Sequence, residues 1–237
     1  MIRKILPKFI NNKLFGDRNL HGKKVIENDI DWINWQKFYK KFYFKTQKSG
    51  IGKSVNNLGY NIIKNLNFSN KTILEFGPGS LPHLEYWKTY PSKFIAVDTD
   101  LKFLEITKKK LGKICETKLI KRGEKLPIET GSIDIILTFY SLEHIFNLKY
   151  ILNEFSRALN ENGILVGAIP NEGGLAWGLG RYLTSRRFVK KKSDINYDKI
   201  ICWEHPNFSD DILKELKNNN FIFIKNEMFP LRFIKSI

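Results

Sequence analysis

The stretch TILEFGPGSLPHL, Thr72 to Leu84, decides the fold predicted for this chain. Its first part is a short apolar run with β-branched and aromatic residues, which is typical of a buried strand. The acidic residue Glu75 stands near the end of that run, and Gly77 and Gly79 follow it. Glycine lets the backbone turn tightly and approach a bound molecule closely, because it has no Cβ atom. The stretch therefore predicts a strand, a ligand-binding turn and then a helix over 81–90.

After this motif, further strand-like segments alternate with helical segments. The predicted strands after it are KFIAVD (93–98), TKLIKR (117–122), IDIILTFY (133–140), ILVGAIP (164–170), FIFIKNEMF (221–229) and LRFIKSI (231–237). Alternation of this kind is the signature of an α/β fold with right-handed crossovers. We therefore expect a doubly wound, mostly parallel, seven-stranded sheet with a helical extension at the N-terminus.

The predicted domain organisation has three parts. Residues 1–53 are basic and aromatic and form an extension packed on the core, and residues 54–237 form the main domain. Within that domain, the Gly-, Arg- and Lys-rich segment 171–202 interrupts the alternation after a predicted strand, where open α/β sheets bind ligands. We interpret it as a lid over the substrate; the alternative is a solvated basic loop.

The chain is 237 residues long and carries a formal net charge of +16. Such a charge fits an anionic partner such as nucleic acid, lipid headgroups or a phosphorylated glycan, but A/T-rich codon usage is an equally simple source of lysine. The two cysteines, Cys115 and Cys202, signal neither a disulfide framework nor a zinc site, and no metal site is expected. No apolar run is long enough to predict a membrane span and no secretory signal is recognisable, so we expect a cytoplasmic location.

The N-terminal extension leaves two interpretations open. Trp35, Phe38, Tyr39 and Phe42 follow helical spacing, which favours an amphipathic helix that packs on the domain. The same residues alternate with lysines, as in surfaces that stack bases and bind phosphates. Peripheral contact with a membrane is a further possibility for the extreme N-terminus.

The turn after the first strand favours a cationic ligand over a dinucleotide. A dinucleotide site has the pattern G-x-G-x-x-G, and here Pro82 stands at the third glycine position. A carboxylate at Glu75 suits a positive charge, such as a sulfonium cofactor with an amino-acid end. A second carboxylate, Asp98, closes the next strand, where an acidic residue reaches ribose hydroxyls.

With these motifs the chain resembles the class I S-adenosylmethionine-dependent methyltransferases, particularly the small-molecule branch called type 11. The resemblance covers about 71–170, returns weakly over about 203–229, and rests on ILEFGPGS, IAVDTD, GEKLPIETGSIDIILTFYSLEHI and FSRALNENGILVGAIPN. It implies a Rossmann-like fold and S-adenosyl-L-methionine as the cofactor. Leu81 in place of a common third glycine, and Arg122 in place of a frequent aspartate, depart from the family pattern.

The resemblance also implies roles for individual residues. Gly77 and Gly79 would approach the methionine part of the cofactor, with Glu75 near its amino group and Phe139 beside the sulfonium. Asp98 would hold the ribose hydroxyls. The residues implied around the adenine are Thr99, Gly123 and Glu124. For each of these the alternative is a purely structural role in a turn, a helix cap or an ion pair.

Two histidines are candidates for a general base, which is needed only if the acceptor loses a proton. They are His144, in SLEHI after the fourth strand, and His205, in WEHPNF after the insertion. Positioning alone is the alternative, because the methyl donor is already activated. The basic and aromatic residues of the insertion are candidates for holding the acceptor: Trp177, Arg181, Tyr182, Arg186, Arg187 and Lys190 to Lys192.

We therefore expect a methyltransferase that acts at oxygen on a small-molecule or glycan-linked acceptor, either neutral or anionic. An RNA or protein methyltransferase is the second hypothesis, motivated by the charge. No N/D-P-P-Y/F motif follows the fourth strand, which disfavours methylation of base amino groups. A catalytically silent cofactor-binding module is the third hypothesis, motivated by Leu81 and Arg122.

Overall fold

The computed structural model describes residues 2–47 and 57–227 and contains a parallel sheet of five strands. The strand order is β3-β2-β1-β4-β5, so the two halves of the sheet diverge from the central strand β1. This order confirms the predicted doubly wound α/β fold. The strands are β1 (Thr72–Phe76), β2 (Lys93–Asp98), β3 (Cys115–Leu119), β4 (Ile133–Phe139) and β5 (Leu159–Ala168).

The central strands are apolar on both faces because helices or turns cover both sides of the sheet. In β1, Ile73 points into one core and Leu74 into the other, as the two-residue period of a strand requires. Their partners in β4, Ile135 and Ile136, divide between the same two cores. The β1–β4 register therefore keeps each core continuous across the middle of the sheet.

Nine α-helices have defined bounds in the described part of the chain: α1 (Lys8–Phe15), α2 (Arg18–His21), α3 (Ile30–Gln47), α4 (Leu101–Leu111), α5 (Leu148–Ala158), α6 (Leu175–Leu183), α7 (Ser185–Lys192), α8 (Tyr197–Glu204) and α9 (Ser209–Asn218). Residues 57–60 are also helical. Shorter 3-10 helices occupy Ile2–Lys4, Asn61–Asn65, Pro82–Tyr86, Gly112–Ile114 and Leu142–His144. Among residues 2–47 and 57–227, no helix combines the length and apolarity needed to cross a membrane.

Two elements differ from the sequence prediction. The described residues hold five strands rather than seven: 221–227 form no strand, and the remainder of the two last predicted strands lies outside the described residues. The predicted helix over 81–90 is a five-residue 3-10 helix, Pro82–Tyr86. It begins after Leu81, whose φ of 52° is left-handed, and a residue in that conformation interrupts a right-handed helix.

The segment 171–202 folds into helices α6 and α7 and most of α8, and the N-terminal helices pack against it. Gly178 of α6 lies against the ring of Phe15 in α1. Trp32 of α3 meets Trp203 of α8 edge to face, with ring centroids 6.3 Å apart. The side chain of Phe42, part of the predicted aromatic stripe, lies outside the described residues.

Candidate active site

The turn after β1 brings the ends of three strands together. Gly77 and Gly79 have φ angles of 73° and 53°, which favour glycine. The amide of Gly77 donates to the carbonyl of Val97 in β2 at 2.9 Å. A Cβ atom at Gly77 would collide with the Oγ atom of Ser141, which follows β4. The close approach of the turn to β4 therefore requires glycine.

Glu75 is buried at the end of β1 and interacts with the imidazole of His83. The Oε1 atom of Glu75 lies 2.6 Å from the Nε2 atom of His83, and both side chains are 1% exposed. The indole nitrogen of Trp87 donates to the Nδ1 atom of His83 at 3.1 Å. The Oε2 atom of Glu75 is buried without a hydrogen-bond partner among the described residues. One carboxylate oxygen is thus held in place by His83, whereas the other lacks a hydrogen-bond donor among the described residues.

A cavity of about 90 Å³ lies beside this carboxylate. Four of the predicted cofactor residues line it: Glu75, Gly77, Gly79 and Phe139. Its other lining residues are Tyr60, Pro78, Ser80, Pro82, His83 and Tyr140. The structure therefore gathers the predicted methionine-binding residues around one hollow.

Asp98, at the end of β2, also reaches this turn. Its carboxylate accepts hydrogen bonds from the backbone of Asp100, at 2.9 Å, and from the backbones of Thr99 and Gly79. Burial raises the pKa of Asp98 to about 6, although these hydrogen bonds lower it. Because β1 and β2 are parallel neighbours, Asp98 and Glu75 lie at the same edge of the sheet. The two predicted carboxylates thus flank the Gly77–Gly79 turn.

The residues predicted around the adenine do not line the cavity. Thr99, Gly123 and Glu124 are exposed. The carboxylate of Glu124 accepts from the backbone amide of Lys121 at 2.8 Å and so closes its own turn. Their role in holding the adenine stays a prediction.

The two predicted histidines lie together after β4 and after α8. The rings of His144 and His205 meet edge to face, with centroids 4.6 Å apart. The Nδ1 atom of His144 lies 2.6 Å from the carbonyl oxygen of Glu204 and 3.4 Å from its carboxylate. Burial lowers the pKa of His144, but the hydrogen bond to Glu204 and the charges of Glu143 and Glu204 outweigh it and raise that pKa to about 9. His144 is therefore protonated at neutral pH.

His205 is held by Glu172, a residue that the sequence analysis did not select. The Nδ1 atom of His205 lies 2.5 Å from the Oε1 atom of Glu172, whose side chain is fully buried. The Glu172 carboxylate also accepts from the indole of Trp177 at 2.7 Å and from Arg181 at 2.7 and 2.8 Å. Burial opposes ionisation, but the charge of Arg181 and the hydrogen bonds from His205 and Trp177 outweigh it, so the pKa of Glu172 lies well below its usual range. Glu172 is therefore an anion with a fixed orientation.

The predicted substrate contacts of the insertion are partly used inside the protein. Trp177 and Arg181 hold Glu172, and Arg186 forms a two-pronged ion pair with Asp198 at 2.6 and 2.7 Å. The remaining basic residues of α7 are exposed: Arg187, Lys190, Lys191 and Lys192. The contact of these four side chains with an acceptor stays a prediction.

The five residues after β4, 140–144, run from the cavity to the histidine pair. Tyr140 lines the cavity, and burial, together with the charge of Glu143, raises its pKa well above the usual range, so it remains a neutral phenol. Glu143 is buried beside His144, and its Oε2 atom has no hydrogen-bond partner among the described residues. Tyr140 itself has a φ of 54°, and such strain in a non-glycine residue clusters at functional sites. Five residues after β4 thus connect the two groups of polar side chains.

Comparisons with known proteins bear on the family of one segment and on the fold of the chain. Residues 74–167 match a family model described as a methyltransferase domain, type 11. No curated protein matches the chain. The YcgJ protein of Bacillus subtilis is 14% identical, with a TM-score of 0.50 over 69% of this chain and 66% of its own. The [4+2]-cyclase SpnF is 13% identical, with a TM-score of 0.50 over 72% of this chain and 58% of its own.

The matched segment identifies a class I S-adenosylmethionine-dependent methyltransferase domain, and S-adenosylmethionine is the cofactor of this class. For this segment the predicted family and cofactor are confirmed, and the parallel strand order confirms the predicted α/β fold. The chain spans 58% to 66% of the length of the first structures that match it. At 13% and 14% identity the structural matches establish the fold alone.

Proposed function

We propose that this chain transfers a methyl group from S-adenosylmethionine to a hydroxyl group of a small-molecule or glycan-linked acceptor. The observation that carries the proposal is the closeness along the chain of two sites, because the segment after β4 runs from Tyr140, at the cavity, to His144, whose ring meets that of His205. One site is the cavity beside Glu75, whose Oε2 atom lacks a hydrogen-bond donor among the described residues. The other is the imidazole of His205, which is held by the anionic Glu172.

The residues around the cavity fit the cofactor. The unpaired Oε2 atom of Glu75 suits its ammonium group, and Gly77 and Gly79 line the same cavity, in which its amino-acid end would lie. Asp98 is placed for the ribose hydroxyls, and Phe139 borders the methionine part. We retain Thr99, Gly123 and Glu124 as proposed adenine contacts. When bound, S-adenosylmethionine supplies a methyl group that is already activated for transfer.

His205 is the better of the two candidate bases. A carboxylate anion can only accept, so the Nδ1 atom of His205 carries the proton that it shares with Glu172. In neutral His205 the Nε2 atom is then the free base. The cofactor would supply the methyl group and leave as S-adenosylhomocysteine when its sulfur–methyl bond breaks, and the Nε2 atom of His205 would take the proton that the acceptor hydroxyl loses. His144 is less suited, because it is already protonated at neutral pH.

The exposed charge of α7 favours an acceptor that carries a carboxylate or phosphate group. Arg187 and Lys190 to Lys192 form a run of exposed cations on the insertion. Cations of this kind raise the local concentration of an anionic substrate. The acceptor class of this proposal is therefore an acidic sugar or a sugar phosphate.

The first experiment tests the cofactor and the base together. Calorimetry measures the binding of S-adenosylhomocysteine and NADH, and labelled S-adenosylmethionine is offered with uronic acids, sugar phosphates, oligosaccharides and RNA. We expect binding of S-adenosylhomocysteine alone and transfer to one of the acidic sugars. In His205→Gln we expect transfer to fall about 10²- to 10⁴-fold, the usual contribution of a general base, with unchanged cofactor binding.

The control is His144→Gln, in which we expect the smaller loss. A larger loss in His144→Gln than in His205→Gln would contradict the assignment of the base. Transfer to RNA alone would replace the acceptor class. No transfer to any acceptor would contradict methyl transfer itself, since folds of this kind host several reactions.

A further inference from the structure

We infer that His83 and Trp87 position Glu75 so that its free oxygen recognises the ammonium group of the cofactor. The inference rests on the cofactor site described under the proposed function. It assigns a specificity role to two residues that lie beyond the glycine turn and outside the motifs that carry the family resemblance. Both belong to the short segment around the 3-10 helix Pro82–Tyr86.

The geometry fixes the proton on His83. The indole nitrogen of Trp87 can only donate, so the Nδ1 atom of His83, 3.1 Å away, must accept. The single proton of the neutral ring is then on Nε2, which donates to the Oε1 atom of Glu75 at 2.6 Å. The three side chains form a chain of hydrogen bonds with one direction, from Trp87 through His83 to Glu75.

The rings around His83 hold it in this orientation. The Trp87 ring lies nearly coplanar with the imidazole, at an interplanar angle of 20° and with centroids 6.1 Å apart, so that its N–H points at the imidazole edge. Phe139 and Tyr60 pack on it with centroids 5.1 and 5.6 Å away. An imidazole packed on several sides cannot rotate freely, so the carboxylate of Glu75 is held in one position.

The remaining oxygen of Glu75 defines the ligand. Its Oε2 atom is buried, without a partner among the described residues, and Glu75 lines the cavity. A buried carboxylate oxygen without a donor is unfavourable, and a cationic N–H donor satisfies both its charge and its hydrogen-bonding capacity. Because His83 donates without adding a charge, the attraction of Glu75 for such a cation is retained. The matching ligand group is a primary ammonium, which S-adenosylmethionine and S-adenosylhomocysteine both carry.

The experiment compares two ligands that differ at the amino-acid end. S-adenosylhomocysteine carries the ammonium group, whereas 5′-methylthioadenosine has the same adenosine and a thioether but no amino acid. Calorimetry measures both dissociation constants for the wild-type protein, His83→Leu, His83→Gln and Trp87→Phe. Binding of methylthioadenosine also reports that each variant is folded.

We expect His83→Leu to weaken S-adenosylhomocysteine about 10- to 100-fold, the range for a hydrogen bond to a charged group, and to change methylthioadenosine less than about twofold. His83→Gln keeps an N–H donor that can reach Glu75, so it should recover most of the affinity. Trp87→Phe should give an intermediate loss, because it keeps the packing and releases the proton on His83.

Equal weakening of both ligands in His83→Leu would overturn the inference, since it would indicate a purely structural role. An unchanged affinity for S-adenosylhomocysteine would overturn it as well. If His83→Leu does not fold, the comparison of His83→Gln with Trp87→Phe decides in the same way. Wild-type protein that binds neither ligand would contradict the proposed function itself, which separates that failure from a failure of the inference.

Discussion

At the scale of single residues, the site combines carboxylates of opposite character. Burial raises the pKa of Asp98, whereas Glu172 and Glu204, also shielded from water, have lowered pKa values. The difference lies in the partners: Asp98 accepts from neutral backbone amides, and the two glutamates accept from histidine and other side-chain donors. Asp98 is thus a carboxylate that gains from a ligand, whereas Glu172 already has three donors.

Cofactor binding should therefore depend on pH through Asp98. Its pKa of about 6 lies above the ordinary value, so between about pH 4 and 6 the free folded protein binds more protons than the unfolded chain. Ionisation of Asp98 then costs the free protein stability as the pH rises through this window. Ribose hydroxyls donate to the ionised form, so S-adenosylhomocysteine should bind more tightly at pH 7.5 than at pH 5, by up to about tenfold. Calorimetry of Asp98→Asn should show weaker binding and a flatter profile; an equally steep profile would contradict the assignment.

The sequence predicted the candidate site residues that belong to one motif or end a strand of the sheet. It did not predict those that are brought in by the packing of loops and helices. Glu75, Gly77 and Gly79 form one continuous motif, and Phe139 ends a neighbouring strand, so parallel-sheet geometry brings them together. Glu172 gave no signal of its own, because its meaning depends on Arg181 and on His205, 33 residues away. His83 lies eight residues from Glu75, and only the unexpected 3-10 helix turns it back to the carboxylate.

At the scale of elements, helix α6 joins the N-terminal extension to the site. One side of α6 supplies Trp177 and Arg181, which hold Glu172. Gly178, on the same helix, lies against the buried ring of Phe15 in α1. The packing of α1 on α6 therefore supports the orientation of Glu172, and through it that of His205.

Two glycines of α6 provide a matched test of this packing. A Cβ atom at Gly178 would lie 2.6 Å from the Phe15 ring, whereas one at Gly180 meets nothing within 4 Å. We expect Gly178→Ala to destabilise the protein by about 1–3 kcal/mol through overpacking. Gly180→Ala should stabilise it by about 0.5–1 kcal/mol, since alanine favours the helix. Denaturant unfolding measures both changes, and equal shifts in the two variants would contradict a close α1–α6 contact.

At the scale of the whole molecule, the proposed donor and acceptor sites rest on different parts of the chain. The sheet and its turns build the cavity proposed for the cofactor. The histidine pair is supported by residues from the N-terminal extension: Arg18 donates to the carbonyl of His205 at 2.7 Å, and Trp35 donates to the carboxylate of Glu204 at 2.7 Å. The extension thus contributes to the proposed acceptor site, which aromatic spacing alone could not reveal because Glu204 lies 169 residues from Trp35.

A double-mutant cycle measures this coupling between the two ends of the chain. Trp35→Phe removes the indole N–H, and Glu204→Gln removes the charge that it meets. Burial raises the pKa of Glu204, but the hydrogen bonds and charges around it outweigh that effect and lower it to about 2. We expect each single variant to lose about 1–3 kcal/mol of unfolding free energy and the pair to show a coupling of about 0.5–3 kcal/mol. The affinity for S-adenosylhomocysteine should stay unchanged, because Trp35 and Glu204 lie outside the cofactor cavity. Strict additivity would indicate that the extension packs beside the proposed acceptor site without supporting it. Coupling would instead show that the first helices are part of the proposed catalytic site.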